Sequence, residues 1–317
     1  MIVRWSLTEL PAVLDELGLE WPLLVASSRW ESLELPRLAH WSEVPSQRIE
    51  VPATADSLLA VGGGSAIDTA HAASSVTGLP VVSVPTTYSG AEWTPTFGVR
   101  TPDRRMVGGG GGANLAAIVY EVELTLDLPL DITVGTAMNA LAHCAEALYV
   151  RGRNDPADER ALVGAELIAA SLPRVVADPG ALEPRTDLLR AAAAAGEALA
   201  LAGLGLAHAI AQALGGTYGL PHGAMNALSL PPALRFNAGI APEAVRRFGV
   251  AIGAERDPAG KVEELARLGG FVRLRDFGIP EADLAALAAS TAQRAGNQMN
   301  PRPATPAEIE ALLRSIY

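Results

Sequence analysis

Two short stretches carry the side chains best suited to chemistry. Gly135 to Tyr149 reads GTAMNALAHCAEALY. Read as a helix, it sets Asn139 and His143 four residues apart, one turn along the same face. Leu204 to His222 reads LGLAHAIAQALGGTYGLPH and repeats the device with His208 and Gln212. The chain then breaks at Gly215-Gly216 and returns His222 after Pro221, on a predicted loop. Three of the five histidines fall in these two segments. A lone histidine in an Ala-rich helix is usually a satisfied core or surface residue. Two pairs at one spacing, each in an apolar helix, give equal weight to convergence on one small molecule. Imidazoles there serve proton transfer or metal ligation, and amides serve hydrogen bonding.

Composition narrows the partners. The formal net charge of −11 and the absence of a basic stripe disfavour nucleic acid and anionic membrane surfaces. Lys261 is the only lysine and has acidic neighbours, which argues against Schiff-base chemistry and a P-loop. Cys144 is the only cysteine, so no intrachain disulfide can form. It follows His143, but adjacent helix positions point about 100° apart, so it reads as a small buried hydrophobe. MIVRWSLTEL lacks the layout of a signal peptide. The Ala/Leu run at Ala191 to Leu206 is broken by Gly196, Glu197, Gly203 and Gly205 and reads as a buried helix. A cytoplasmic protein acting on a small molecule is expected.

An α/β layer comes first. Thr8 to Leu17 has helical periodicity with Thr8 as N-cap, and Trp21 to Ser27 reads as a strand. That strand ends Ser27-Ser28-Arg29, without an acidic residue for a ribose, so NADP stays as open as NAD. Leu58 to Val61 is a strand, Gly62-Gly63-Gly64-Ser65 a tight turn, and Ala66 opens a helix. Such a turn lets a backbone approach a pyrophosphate at a helix N-terminus, although GxGxxG spacing is absent. Pro80 to Val84 is a further strand, running into the hydroxyls of Thr86, Thr87, Tyr88 and Ser89. Open α/β sheets bind ligands at such strand ends. Trp93 to Val99 and Ala117 to Tyr120 read as strands, and Gly108 to Gly112 as a flexible surface loop. Helices follow at 133–150, 156–172, 186–201, 204–214, 242–252, 261–268, 280–291 and 306–316. The predicted division is an α/β nucleotide-binding domain over 1–127 and an all-helical domain over 128–317.

Together the motifs resemble one family. AVGGGSAIDTA, VPTTYSGAEWTP, IVYEVELTLDLP, GTAMNALAHCAEALY, ALGGTYGLPHGAMNALSLPPALRFN and NQMNPRPATPAEIEALL span most of the chain. They resemble the iron-containing (group III) alcohol dehydrogenases, and within these the maleylacetate reductases. The resemblance implies a dehydroquinate-synthase-like α/β fold with two domains, a homodimer, and substrate between the domains. It implies NAD(H) or NADP(H) held by Gly62, Gly63, Gly64, Ser65, Asp68, Thr86, Thr87 and Ser89. Metal-dependent members use one Asp and three His, which map to Asn139, His143, His208 and His222. An Asn oxygen is a neutral, weaker ligand, and the reductase branch commonly has Asn there and works without metal. A metal-free site is therefore expected.

Three departures stand out against the family pattern. Gln212 replaces a His thought to aid proton transfer, and Gln is no general acid near neutral pH. His71 replaces a Lys, and little more than a Pro-rich linker joins the Ser27 strand to Leu58. The favoured reaction is hydride transfer to a C=C or carbon–heteroatom double bond. His222 is the first choice of proton donor, with His143, His208 and Tyr88 as others, and Gln212 and Asn139 orient the substrate. Arg100, Arg104, Arg105 and Arg302 are candidates for meeting an acidic substrate. The alternatives are a metal-dependent alcohol dehydrogenase, a lyase, cyclase or isomerase on the same scaffold, and a silent binding protein.

Overall fold

A computed structural model describes residues 1–103 and 105–317. The chain forms two compact units, Met1–Thr87 with Ala91–Asp127, and Tyr88–Gly90 with Leu128–Tyr317. Residues 88–90, expected with the first domain, thus group with the helices.

The first unit is built on strands β1 (Ile2–Arg4), β2 (Pro22–Ala26), β3 (Ala39–Trp41), β4 (Ser57–Gly62), β5 (Pro80–Pro85), β6 (Phe97–Arg100), β7 (Met106–Gly110) and β8 (Asn114–Val119). Six of them make a parallel sheet in the order β1-β8-β5-β4-β2-β3. Its central strands are near-continuous apolar runs because both faces are covered. Leu24, Leu59, Val82 and Val119 face helix α1 (Leu10–Leu17), while Leu23, Leu58 and Val81 pack with Ile67 and Ala70 of helix α2 (Gly64–Thr77). A 3-10 turn at Leu7–Glu9 precedes α1, so the cap is Ser6, whose Oγ accepts from the Thr8 amide, and not Thr8.

Three sequence expectations fail here. The supposed linker holds β3, an edge strand of three residues, too short to show periodicity. The glycine run is no loose loop over Gly108–Gly110, because these residues lie in β7, paired antiparallel with β6. A Cβ at Gly110 would sit 2.8 Å from the Phe97 ring, so the bare backbone there makes room for the aromatic. The strand predicted at Trp93–Val99 is confined to β6, after a 3-10 turn at Ala91–Trp93.

The second unit is helical: α3 (Leu130–Ala147), α4 (Asp155–Ala177), α5 (Leu182–Ala202), α6 (Leu206–Tyr218), α7 (His222–Ala238), α8 (Pro242–Ala251), α9 (Pro258–Arg267), α10 (Leu284–Ala292), α11 (Ala295–Met299) and α12 (Pro306–Ser315). Helices α7 and α11 were not expected. Pro221, Gly223 and the Pro231-Pro232 pair disguise α7, yet prolines are tolerated at a helix start and the later pair is carried inside the helix. Helix α3 is buried along nearly its whole length and packs on α4, α5 and α7. Among the described residues no single helix is long and apolar enough to cross a membrane.

Candidate functional site

In the first unit, β4 and β5 run side by side, with Gly62 in register with Pro85 and the Thr86 amide donating to the Gly62 carbonyl at 3.0 Å. The Gly62–Ser65 turn and the loop after β5 therefore share one end of the sheet. Gly62 has φ +148°, and a Cβ on Gly63 would meet Thr87 Cγ2 at 2.8 Å. No side chain caps α2, and the buried Thr87 Oγ1 has no hydrogen-bond partner. Such an end suits an anionic group that takes up backbone N–H donors. Asp68 forms an ion pair with Arg100 at 2.9 Å. Burial raises the Asp68 pKa to about 6, with Arg100 opposing. His71 is wholly buried, and burial lowers its pKa to about 4.

In the second unit three helices each contribute a pair at i,i+4. Helix α3 gives Asn139 and His143, α6 gives His208 and Gln212, and α7 gives His222 and Asn226. Sequence reading placed His222 on a loop and missed Asn226; His222 is instead the first residue of α7 and half-buried. Helices α3 and α7 approach so closely that a Cβ on Gly223 would lie 2.4 Å from the Gly135 carbonyl carbon. That approach brings the Asn226 Nδ2 to 2.7 Å from Asn139 Oδ1 and 3.0 Å from His222 Nε2. Asn139 Nδ2 donates to the Ser89 carbonyl at 2.9 Å, which fixes the amide's orientation.

The rings of His143 and His208 stack at 4.6 Å, and His208 and His222 lie 5.8 Å apart. Burial, then the neighbouring His208 and His222, hold His143 well below the usual imidazole range, so it stays neutral. His208 Nδ1 lies 2.7 Å from Glu146 Oε2, and its Nε2 lies 3.3 Å from Asn139 Oδ1. Glu146 is fully buried and also accepts from the amides of Gly205 at 2.7 Å and His208 at 3.2 Å. It therefore caps α6 from α3 and orients the His208 ring in one act.

Against known proteins, the description "Fe-containing alcohol dehydrogenase family, C-terminal" matches residues 133–317, and "Iron-containing alcohol dehydrogenase" matches residues 49–118. The chain belongs to the iron-containing alcohol dehydrogenase family. It is 37% identical to maleylacetate reductase 1 of Rhodococcus opacus, over 83% of this chain and 73% of that one. A maleylacetate reductase of Pseudomonas knackmussii is 33% identical, over 98% of this chain and 93% of its own. Among solved structures, a putative alcohol dehydrogenase from Ralstonia eutropha has a TM-score of 0.90 at 31% identity, covering 100% of this chain and 95% of that one. The maleylacetate reductase from Rhizobium sp. has a TM-score of 0.88 at 26% identity, with the same coverage. The motif resemblance and the α/β fold are thus borne out. This iron-containing alcohol dehydrogenase family member is an NAD(P)-dependent oxidoreductase of the maleylacetate reductase branch.

The positions that resemble the family's metal ligands do lie together, as Asn139, His143, His208 and His222, but their donors fit a cation poorly. The Asn226 amide N–H₂ reaches both Asn139 Oδ1 and His222 Nε2, so an internal donor already serves two would-be ligand atoms. Among the described residues no three His, Cys, Asp or Glu side chains are arranged to hold a metal ion.

The remaining candidates are accounted for individually. Tyr88 is fully buried and its hydroxyl accepts from Arg185 Nη1 at 3.0 Å. Ser89 presents a buried Oγ without a hydrogen-bond partner. Cys144 is buried, and burial pushes its thiol pKa up, away from nucleophile chemistry. Of the proposed cations, Arg100 pairs with Asp68, Arg105 with Asp103 at 3.2 Å, and Arg302 with Glu308 at 2.9 Å. Arg104 lies outside the described residues.

Proposed function

We propose that this chain reduces maleylacetate, or a closely similar unsaturated oxo diacid, with NADH or NADPH and without a metal ion. The observation that carries the metal-free reading is the hydrogen-bonded Asn139 amide, fixed by Ser89 on one side and Asn226 on the other. When bound, the dihydronicotinamide supplies the hydride. Gly62, Gly63, Gly64, Ser65, Thr86 and Thr87 of the first unit would hold the cofactor's phosphates. Asn139 and Gln212 orient the substrate. His222, the least buried of the three imidazoles, gives the proton to the carbon that does not receive hydride. His208 is held between Glu146 and Asn139 Oδ1, which fixes the orientation of its ring beside His222.

The test is oxidation of NADH and NADPH by maleylacetate with chelator-dialysed protein. Steady turnover supports the reading. Turnover that returns only with zinc or iron overturns its metal-free part, and none in either state overturns it whole. The ring proximity of His143, His208 and His222, at positions that resemble the family's metal ligands, leaves the metal-dependent alcohol dehydrogenase as second reading. Asn139→Asp sharpens the choice: a carboxylate there raises zinc affinity measured by titration, whereas equal affinity in both proteins contradicts our account of the amide.

A further inference from the structure

The arginines that sequence reading offered to an acidic substrate, so far as they are described, are engaged by carboxylates. Arg294 is not. It is half-buried at the start of α11, its Nε is shut off from water, and that atom has no hydrogen-bond partner. Among the described residues its side chain makes no ion pair. A cation held out of water without a counter-charge costs free energy. Burial accordingly presses its pKa below the usual arginine value.

Its backbone is pinned. The Arg294 amide donates to Thr291 at 3.0 Å, and its carbonyl accepts from Asn297 at 3.1 Å and Gln298 at 3.2 Å. The buried Asn297 side chain ties the segment down further, donating to Ala292 and Ala304 and accepting from the Ala304 amide. The segment's course along α6 can be followed from both ends. The Tyr218 hydroxyl donates to Asp283 at 2.6 Å at one end. At the other, a Cβ on Gly296 would meet the Gly205 carbonyl at 2.4 Å and Ala209 Cβ at 3.4 Å. Residues 283 to 296 therefore run antiparallel to α6. Arg294, two residues before Gly296, lies next to the stretch of α6 that Gly296 meets, Gly205 to Ala209, which includes His208. Gln212 shares the α6 face of Gly205 and Ala209 by helical spacing.

We infer that Arg294 receives one carboxylate of the substrate, with the Gln212 amide as the neighbouring donor. The identity of that substrate rests on the reductase reading; the anion site itself does not. A planar guanidinium binds a carboxylate through two parallel hydrogen bonds, and a half-buried one gains more from doing so than an exposed one.

The experiment compares wild type, Arg294→Met and Arg294→Lys in three measurements. These are succinate binding by calorimetry, KM and kcat for maleylacetate, and NADH binding by fluorescence. Arg294→Met is expected to weaken succinate binding and raise KM by about 30-fold or more. NADH binding stays as in wild type, and the melting temperature is unchanged or higher because an uncompensated cation has gone. Arg294→Lys recovers part of the loss, since a point charge replaces the fork. Wild type that ignores succinate, or Arg294→Met that binds it equally well, overturns the proposal. So does a parallel loss of NADH affinity and melting temperature, which marks a structural role. Wild type that binds succinate through Arg294 but never oxidises a nicotinamide keeps the anion site and removes the reductase reading.

Discussion

Glu146 in the helical unit and Glu92 in the sheet unit are both shut off from water, yet their carboxylates live in opposite surroundings. Glu146 is ringed by donors: the Gly205 amide, the His208 amide and the His208 ring. Glu92 has its own backbone amide and the Tyr120 hydroxyl at 2.8 Å, which in turn accepts from Trp93 Nε1 at 2.8 Å and stacks its ring on Trp5. The second oxygen of Glu92 has no partner. Burial raises its pKa to about 7, with its own backbone amide and then the Tyr120 hydrogen bond opposing only in part. Depth alone therefore does not describe the surroundings of a buried acid. The N–H and O–H groups aimed at it complete the description.

The harshest test of that contrast is Glu146→Ala. It leaves two backbone amides and a ring nitrogen facing a void, at a cost of about 3–5 kcal/mol. Urea denaturation should show that loss, and reductase activity should fall with it as His208 loses its orientation. Glu146→Gln keeps an acceptor and should cost less. A loss near zero for the alanine variant would break the comparison from this side.

Glu92→Gln is expected to do the reverse. The folded pKa of about 7 stands above the ordinary 4.5, so the unfolded chain releases this proton first. Glu92 leaves stability intact below pH 4.5 and erodes it between there and pH 7, by about 3 kcal/mol at most. Glu92→Gln should remove that slope and be more stable than wild type at pH 8, while the two converge near pH 4.5. Parallel stability curves across this window would show that Glu92 is better solvated than its contacts allow.

The smallest effect is expected from Tyr120→Phe. It removes the hydroxyl donor to Glu92 and the acceptor of Trp93, costing about 1–2 kcal/mol at pH 6. It should also move the upper end of the Glu92 slope to higher pH. A stability profile that keeps the wild-type midpoint would mean that the hydroxyl does not hold the carboxylate.

The sequence showed the fold's main lines where local chemistry and periodicity agree. Apolar strands ending in Gly62–Ser65 and in Thr86-Thr87, and helices with polar pairs one turn apart, could be read directly. What it hid depends on partners distant in the chain. Helix α7 was obscured by its prolines, so Asn226 was overlooked although it repeats the spacing of Asn139 with His143. Glu146 stood in plain view three residues after His143, but only the start of α6, 59 residues on from it at Gly205, gives it meaning. Arg294 looked like any surface arginine, because composition cannot tell a solvated cation from one half-buried without a counter-charge. The glycines of β7 read as slack, since nothing local reveals that the Phe97 ring fills the space beside them.

The loop tripeptide Tyr88–Gly90 belongs to the helical unit although the residues on either side of it belong to the sheet. It supplies the Ser89 carbonyl that orients Asn139 and the Tyr88 hydroxyl that meets Arg185. Cutting the gene at the apparent boundary after Asp127 would therefore yield a helical fragment with its own site left incomplete. The two halves cannot be exchanged between proteins as separate cassettes unless this short interruption travels with the helices.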